Sequence, residues 1–338
     1  MNQSIHEAAE KRILILDGAM GTMIQRHTLT EEDFRGEQFA NHHMPLKGNN
    51  DLLSITQPEI IRQIHRDYAN AGADIFETNT FSSTSIAQAD YGLEDQVYQL
   101  NFQSAKIAKE VAEEFTRANP EKPRFVAGSI GPTNKTASLS PDVNNPGFRA
   151  ISFDELVEAY TEQTRGLIDG GADTLLVETV FDTLNAKAAL FAIQQVLDEL
   201  DKDFPIMVSG TITDASGRTL SGQTAQAFLI SLSHVPLFSI GLNCALGAEQ
   251  LTPYLHTLAT EAPFLISAHP NAGLPNEMGE YDQTPEQMAS QIKEYLERDL
   301  INIIGGCCGT TPEHIEAIAE VATQFSPRQL HHTTETTA

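Results

Sequence analysis

Short apolar runs alternate along this chain with longer segments of helical period. Eight of the runs have the length and composition of buried strands, and most lead into Gly, Asn, Asp, Thr or Cys. They span residues 12–16, 74–77, 124–127, 174–177, 205–209, 237–242, 264–268 and 302–304. The segments between them repeat apolar residues every three or four positions, which predicts helices. These segments span residues 58–71, 96–118, 153–167, 184–200, 224–232, 248–259, 285–297 and 312–325.

Eight strand–helix units in succession predict a (β/α)8 TIM barrel, a fold of about 250 residues that grows with insertions. The competing architecture is a doubly wound sheet, which shows the same alternation. A dinucleotide-binding sheet of that kind carries G-x-G-x-x-G after its first strand. Here the turn after the first run reads DGAMGT, from Asp17 to Thr22, and contains no such motif. The pattern therefore favours the barrel.

Two of the strand units share a short internal repeat. The stretch GADIFETNTF at 72–81 resembles GADTLLVETVF at 171–181, and each carries the dipeptide Glu-Thr, at 77–78 and 178–179. A repeat of this kind is expected when a fold is built from equivalent strand–helix units, so it supports the barrel.

The longest irregular segments follow predicted strands and not predicted helices. In a barrel such loops build the carboxyl-end face, where active sites lie. The segments span residues 22–57, 131–152 and 213–221. We assign residues 1–325 to the barrel. The polar residues 326–338, which include His331 and His332, are interpreted as a flexible tail or linker.

The composition excludes several classes of protein. The chain has 338 residues, of which 41% are hydrophobic and 20% charged, which is typical of a globular protein with a large core. Its net charge of -25 disfavours binding to nucleic acid and to anionic membranes. No apolar stretch approaches the ~20 residues of a membrane span, and the N-terminus shows no signal peptide. We therefore expect a cytoplasmic protein.

The three cysteines are the strongest candidates for chemistry. Cys307 and Cys308 lie among glycines in GGCCGTT, and Cys244 lies in GLNCALG. Each motif follows a predicted strand and precedes a helix, so in a barrel the three thiols meet at the carboxyl-end face. An odd number of cysteines without a secretory signal indicates reduced thiols. Three protein ligands and one open position are typical of a catalytic zinc site. The alternative is that the cysteines are small buried hydrophobes.

Two acidic residues are predicted to end strands on the same face. Asp17 follows the first strand, and Glu178 follows the fourth. Such acids are often solvated loop residues or helix caps. A zinc ion bound by three thiolates is a weak Lewis acid that is suited to holding a fourth thiol as a thiolate, which is the nucleophilic form. The expected chemistry is alkyl transfer to a thiol. Nearby carboxylates would suit an ammonium group, so the substrate resembles a thiol-bearing amino acid.

Several of these motifs resemble the homocysteine S-methyltransferase family. The resemblance is carried by residues 16–22, 72–81, 131–134, 177–183, 211–222, 241–247, 270–275 and 305–311. It covers the chain from about residue 12 to 325. Within the family, residues 211–222 and 279–282 resemble the branch of cobalamin-dependent methionine synthase, specifically its N-terminal homocysteine-binding module.

The resemblance implies zinc-dependent methyl transfer from methylcobalamin to homocysteine, giving methionine. Cys244, Cys307 and Cys308 match the family's zinc ligands. Asp17 and Glu178 match positions that hold the substrate ammonium. The backbone N–H groups of the turn Gly18, Ala19 and Met20 are the expected donors to the substrate carboxylate. Cobalamin would be bound by a separate module, and the folate-binding module of the family is likewise absent from this chain.

A fourth zinc ligand is also considered. Asn271 follows the seventh predicted strand, between the two strands that carry cysteines, and its amide oxygen is a candidate weak ligand before substrate binds. The alternative is a turn residue, since Asn is favoured in turns. Two other functions stay open from sequence alone. One is a homocysteine methyltransferase that uses betaine or S-methylmethionine, and the other is a zinc-storage or structural module without turnover.

Overall fold

A computed structural model describes residues 3–213 and 216–330 of the chain. Within these residues, eight strands form one parallel sheet. The strands are β1 (Leu14–Ile15), β2 (Ile75–Glu77), β3 (Phe125–Ile130), β4 (Thr174–Val180), β5 (Ile206–Gly210), β6 (Ser239–Gly247), β7 (Leu265–Asn271) and β8 (Ile303–Ile304). Each strand pairs with the next in the chain from β2 to β8, and β8 pairs with β1. A parallel bridge between Leu16 and Ile75 brings β1 beside β2. This arrangement is a (β/α)8 TIM barrel, as predicted.

Helices surround the barrel and bury their apolar faces against the outside of the sheet. In the described residues the α-helices are α1 (Ile5–Lys11), α2 (Met20–Gln25), α3 (Glu31–Arg35), α4 (Leu53–Thr56), α5 (Pro58–Asn70), α6 (Ser85–Gln88), α7 (Val97–Ala118), α8 (Phe153–Gly170), α9 (Thr183–Leu200), α10 (Ala225–Leu232), α11 (Ala248–Glu261), α12 (Pro285–Glu297) and α13 (Pro312–Ala322). Three short 3-10 helices span Asn50–Leu52, Ala89–Tyr91 and Glu94–Gln96. Helices α5, α12 and α13 begin at proline, whose missing N–H is not needed in the first turn.

The first helix, α1, precedes the barrel and was not expected from the hydrophobic pattern. Ser4 and Glu7 form a capping box at its start, and Ile5, Ala8 and Ala9 are buried. These residues belong to a small apolar cluster shared with the inward side chains of the strands, including Leu14. Helix α1 therefore closes the amino end of the barrel, and the opposite end carries the candidate site.

Two predicted boundaries differ from the structure in ways that matter for the site. The sixth strand was predicted to end at 242, but β6 continues through Cys244 to Gly247, with an irregular register after Asn243. The segment 22–57 was predicted to be irregular, yet it includes part of α2 and all of α3 and α4. These helices have four to six residues, too few for a periodicity window of 11 to 18 residues to resolve, and α3 is stabilised by a capping box at Thr30.

The packed chain extends beyond residue 325. Arg328 is 3% exposed, and its backbone carbonyl accepts a hydrogen bond from the Asn302 side chain at 2.7 Å. Its guanidinium donates to the Ala259 carbonyl. The division of the chain at residue 325 stays a prediction, and His331 and His332 lie outside the described residues. No helix in the described ranges is both long and apolar enough to cross a lipid bilayer.

Candidate active site

The three cysteine thiols meet at the carboxyl end of the barrel, between β6 and β8. Their Sγ atoms lie within 4.8 Å of one another, and Sγ of Cys244 is 3.6 Å from Sγ of Cys308. All three side chains are partly exposed to the mouth of the barrel. Residues 64 positions apart in the sequence therefore form one cluster, as the motif contexts predicted.

The backbone around each cysteine is held in an unusual conformation. Cys244 and Ala245 have φ angles of 58° and 56°, which few residues other than glycine adopt. In the turn after β8, the Cys307 N–H donates to the Pro270 carbonyl at 2.9 Å, and the Thr310 N–H donates to the Cys307 carbonyl at 3.1 Å. Gly309 has φ 78°. Left-handed residues at positions other than glycine commonly mark functional sites, because neighbouring structure must hold them.

The donor set fits a zinc ion. A tetrahedral zinc with Zn–S bonds of ~2.3 Å places its sulfurs about 3.8 Å apart. The observed separations, from 3.6 Å to within 4.8 Å, require only small side-chain movements to reach that geometry. Hydrogen bonds from the Cys244 and Cys307 thiols lower the pKa of Cys308 to about 3, whereas hydrogen bonds to Cys244 and Cys308 raise the pKa of Cys307. The cluster thus stabilises a thiolate, which is the form that binds a metal.

Asn243 supports the cysteines from within β6 and was not singled out from the sequence. Its Oδ1 accepts hydrogen bonds from the Thr179 N–H at 3.0 Å and from the Ser209 hydroxyl at 2.7 Å. Its Nδ2 donates to the Thr179 hydroxyl at 2.8 Å and lies 4.0 Å from Sγ of Cys307. Asn243 therefore connects the thiol cluster to β4, where Thr179 has φ 53°.

Three carboxyl groups lie at the ends of strands on the other side of the mouth. Asp17 and Glu178 are 2% and 6% exposed, and Glu77 is partly buried. Both carboxylate oxygens of Asp17 accept the Glu77 N–H, at 3.2 and 3.1 Å. The Ser129 hydroxyl donates to Glu178. The structure brings together the two acids that were predicted and adds Glu77.

No lysine or arginine in the described part of the chain forms an ion pair with Asp17, Glu77 or Glu178. Burial raises the pKa of Asp17 well above its usual value, and the Glu178 charge raises it further. Burial also raises the pKa of Glu77, with contributions from Glu178 and Asp17. The pKa of Glu178 rises to about 7, first through burial and then through the Cys308 charge. The charged forms of these carboxyls therefore lack a counter-charge, and a bound cation would favour their ionisation.

The turn between β1 and α2 supplies backbone donors beside the acids. Ala19 caps α2, and its N–H donates to the Thr310 hydroxyl at 3.1 Å. Within the described residues, the N–H groups of Gly18 and Met20 make no hydrogen bond to protein. A Cβ at Gly18 would lie 2.8 Å from atoms of Tyr68 and Thr310, so only glycine fits this position without movement. The two unpaired N–H groups are the donors left for an anion.

Asn271 lies beside the thiol cluster, at the end of β7, and is 1% exposed. Its Oδ1 accepts the Cys308 N–H at 3.1 Å. The neighbouring Ala272 N–H donates to the Cys308 carbonyl at 2.9 Å. These bonds fix the backbone of Cys308, which gives Asn271 a structural task in addition to the predicted role as a weak ligand.

The sequence and the fold both match known proteins. Residues 14–322 match the family described as Homocysteine S-methyltransferase, and this span contains all three cysteines and all three carboxyls. The chain belongs to the homocysteine S-methyltransferase family.

Solved structures of a protein named as a homocysteine methyltransferase share the fold over nearly the complete chain. They are of MmuM from Escherichia coli. The metallated form has a TM-score of 0.72 and 25% identity, covering 94% of this chain and 98% of that one. The oxidized form has a TM-score of 0.69 and 25% identity, covering 91% and 95%.

Two site residues were not singled out from the sequence, and one of them, Glu77, could have been found. Glu77 occupies the same place in the internal repeat as Glu178, so the repeat itself was the signal. Asn243 directly precedes Cys244, but an asparagine beside a cysteine has no distinctive pattern. Cavity size would not have located the site either. A large surface cavity, about 860 Å³, lies at the amino end of the barrel and is lined by residues such as Lys109, Arg124 and Phe238.

Proposed function

We propose that this protein transfers a methyl group to the thiol of homocysteine, giving methionine, with zinc at the three cysteines and methylcobalamin as the methyl donor. One observation carries the proposal. A cluster of three thiols shares one mouth of the barrel with three carboxyls that have no cation partner among the described residues, as a thiol-bearing ammonium compound requires. The role of each residue below is part of the proposal.

Cys244, Cys307 and Cys308 are the residues that hold the metal. When bound there, zinc supplies a fourth coordination position in which a substrate thiol loses its proton. The protein's own contribution is to fix the three donors. Asn243 contacts the Cys307 side, and Asn271 holds the Cys308 backbone. Such outer contacts orient ligands and tune their charge.

The amino-acid end of homocysteine binds on the acidic side of the mouth. Asp17 and Glu178 hold its ammonium, and Glu77 adds a third carboxyl to the same charge cluster. The free N–H groups of Gly18 and Met20 receive its carboxylate, with Ala19 already bonded to Thr310. This placement leaves the thiol directed at the cysteines across the barrel mouth.

The surface around the mouth supports a large methyl donor. Six exposed apolar side chains lie on loops that follow β2, β3, β5 and β7, all at the carboxyl end: Phe81, Val143, Phe148, Leu220, Leu274 and Met278. Exposed apolar side chains gathered at the same end of the barrel as the candidate site support a surface that another domain covers. The cobalamin-binding module of a methionine synthase is the proposed occupant, and a folate-binding module is the proposed source of its methyl group.

Turnover assays test the donor directly. We expect methionine from homocysteine and free methylcobalamin, and we expect loss of that activity when zinc is removed by a chelator and recovery when zinc is restored. S-methylmethionine and betaine are the comparison donors. If S-methylmethionine or betaine supports much faster turnover than methylcobalamin, the methionine synthase assignment is wrong and the family assignment stands.

A further outcome separates catalysis from storage. A zinc-storage module would bind zinc at the cysteines and give no methionine with any of the three donors. It would also show no preference for homocysteine over thiols without an amino group. That pair of results would overturn the proposal as a whole.

A further inference from the structure

His269 is a buried histidine on β7 that none of the roles above uses. It is 2% exposed, and neither Nδ1 nor Nε2 has a hydrogen-bond partner in the described structure. A neutral imidazole carries one donor and one acceptor, and leaving buried polar groups unpaired is costly. Buried polar groups without a protein partner in native proteins commonly bind a water, an ion or a ligand.

The strand register places His269 at the floor of the site. It lies beside Asn243 on β6, whose side chain points to Ser209 and Cys307. Side chains of neighbouring paired residues lie on the same face of a sheet, so the imidazole points into the barrel. The last paired residues of β7 and β8 are Ala268 and Ile304, so His269 lies beside Gly305. Gly305 has no side chain to fill the space next to the imidazole.

Inward side chains of a barrel form layers from alternate strands. Neighbouring strands of a barrel are staggered by its shear, so a layer across the barrel does not follow the directly paired residues. With this stagger, the register places Ser129 of β3, Ser209 of β5 and His269 of β7 in one layer. The layer above contains Glu178 and Asn243, together with Cys307. Each serine bonds a residue in that upper layer, Ser129 to Glu178 and Ser209 to Asn243. His269 is the third polar member of its layer and has no such partner.

The proposed substrate supplies the missing partner. An ammonium group has three N–H donors, and Asp17 and Glu178 each already accept a hydrogen bond from protein. The imidazole of His269 is buried and neither ring nitrogen has a partner in the described residues, so its neutral form offers an acceptor nitrogen. A neutral acceptor binds an ammonium without adding to the crowded negative charge of the three carboxyls.

We propose that His269 is a further substrate-binding residue, whose imidazole accepts a hydrogen bond from the ammonium of bound homocysteine at the floor of the site. This inference rests on the proposed function, because it takes homocysteine as the substrate. It assigns His269 a part in selecting amino-acid thiols over other thiols.

Calorimetric binding to the zinc-loaded protein tests the inference without turnover. His269→Leu replaces the imidazole with an apolar group of similar size. We expect it to weaken homocysteine binding about tenfold to a hundredfold, the effect of losing a hydrogen bond to a charged group. Binding of 4-mercaptobutanoate, the same thiol without the amino group, should change less than about twofold. His269→Asn and His269→Gln retain an acceptor oxygen near Nδ1 and Nε2 respectively, so one of them should restore most of the affinity.

His65 provides a matched control. It is 0% exposed on α5, outside the barrel, and neither of its ring nitrogens has a partner in the described residues. His65→Leu should leave the affinity for both thiols unchanged. Zinc content and thermal unfolding of every variant establish that it is folded, and the Asn and Gln variants serve if His269→Leu is not.

Two results would overturn the inference. One is equal weakening for both thiols, which would mean that His269 holds a buried water or packs the floor. The other is no weakening in any folded His269 variant. Failure of the proposed function looks different, because wild-type protein would then show no preference for homocysteine over 4-mercaptobutanoate.

Discussion

The two ends of the barrel each hold a buried aspartate, and the two aspartates differ in whether a cationic side chain pairs with them. At the amino end, Asp74 is 1% exposed and accepts the Ile15 N–H at 3.0 Å. Arg12 and Lys122 lie 3.1 and 3.7 Å from it. At the carboxyl end, Asp17 is equally buried and accepts a backbone N–H in the same way, but no cation pairs with it in the described residues.

Structural and functional buried carboxylates differ in whether a cation of the protein pairs with them. A buried carboxylate is costly unless it is paired, so a protein that keeps several unpaired carboxyls together sacrifices stability. Pairing at the amino end completes a structural interaction. Its absence among the described residues at the carboxyl end marks the place where we propose that the substrate ammonium binds, near the three thiols.

Removal of a thiol should abolish function and spare the fold. Cys307→Ala is expected to lose zinc and all methyl transfer, because two protein ligands do not retain the metal. The thiol lies at the open mouth and not in the core, so the free energy of unfolding of the metal-free protein should change by less than about 1 kcal/mol. Metal analysis, activity and denaturant unfolding measure the three effects. A variant that unfolds while keeping its zinc would show that the cluster is structural.

Asp74→Asn should lower the stability of the fold and leave substrate binding unchanged. It leaves Arg12 and Lys122 without their shared partner, and breaking buried ion pairs costs about 3–5 kcal/mol. The two cations are 25% and 33% exposed, which lowers the expected loss to about 2–3 kcal/mol. Denaturant unfolding gives this value, and homocysteine affinity should stay the same. A loss of affinity without a loss of stability would erase the contrast between the two ends.

Glu178→Gln should weaken homocysteine binding and leave zinc in place. It removes one charge-assisted partner of the ammonium, a contact worth about 1.5–3 kcal/mol. Affinity for 4-mercaptobutanoate serves as the internal control and should not fall. If both thiols lose affinity equally, Glu178 acts at the metal or in folding. Glu77→Gln is the companion variant, expected to show the same selectivity with a smaller loss.

The pH dependence of stability should report the unpaired carboxyls. Burial raises the pKa of Glu178 to about 7, above its unfolded value, so the native metal-free protein binds more protons than the unfolded chain between those values. The free energy of unfolding should therefore fall as the pH rises from about 4.5 to about 7. Glu178→Gln should flatten this slope. A wild-type slope of the opposite sign, or one that the variant leaves intact, would contradict the assignment.

Asn271→Ala should give the smallest effect on the chemistry. X-ray absorption of the substrate-free zinc protein is expected to show three sulfurs and one oxygen or nitrogen, and four sulfurs after homocysteine binds. If Asn271 is the weak ligand, the variant changes the substrate-free spectrum. An unchanged spectrum and affinity would leave the amide with only its bond to Cys308 and would make water the fourth ligand.

Much of this site could be predicted because its parts are local. The apolar runs fixed the number and order of strands, and the cysteine motifs follow strands whose ends must share a face. The repeat at 77–78 and 178–179 marked two of the three carboxyls. Helix α1 and the helices inside 22–57 escaped prediction because caps and tertiary burial form them, and not long periodicity.

The sequence by itself determined the barrel, the meeting of three thiols and the acidic side of the mouth. These follow from strand count, parallel order and the position of each residue at a strand end, which are properties of a linear pattern. Only the tertiary structure decided which buried charges are paired, that Asn243 connects the thiols to β4, and that His269 lies unpartnered at the floor. These depend on the shear of the barrel, which sets the height of one strand's side chains against the next and cannot be read from spacing along the chain.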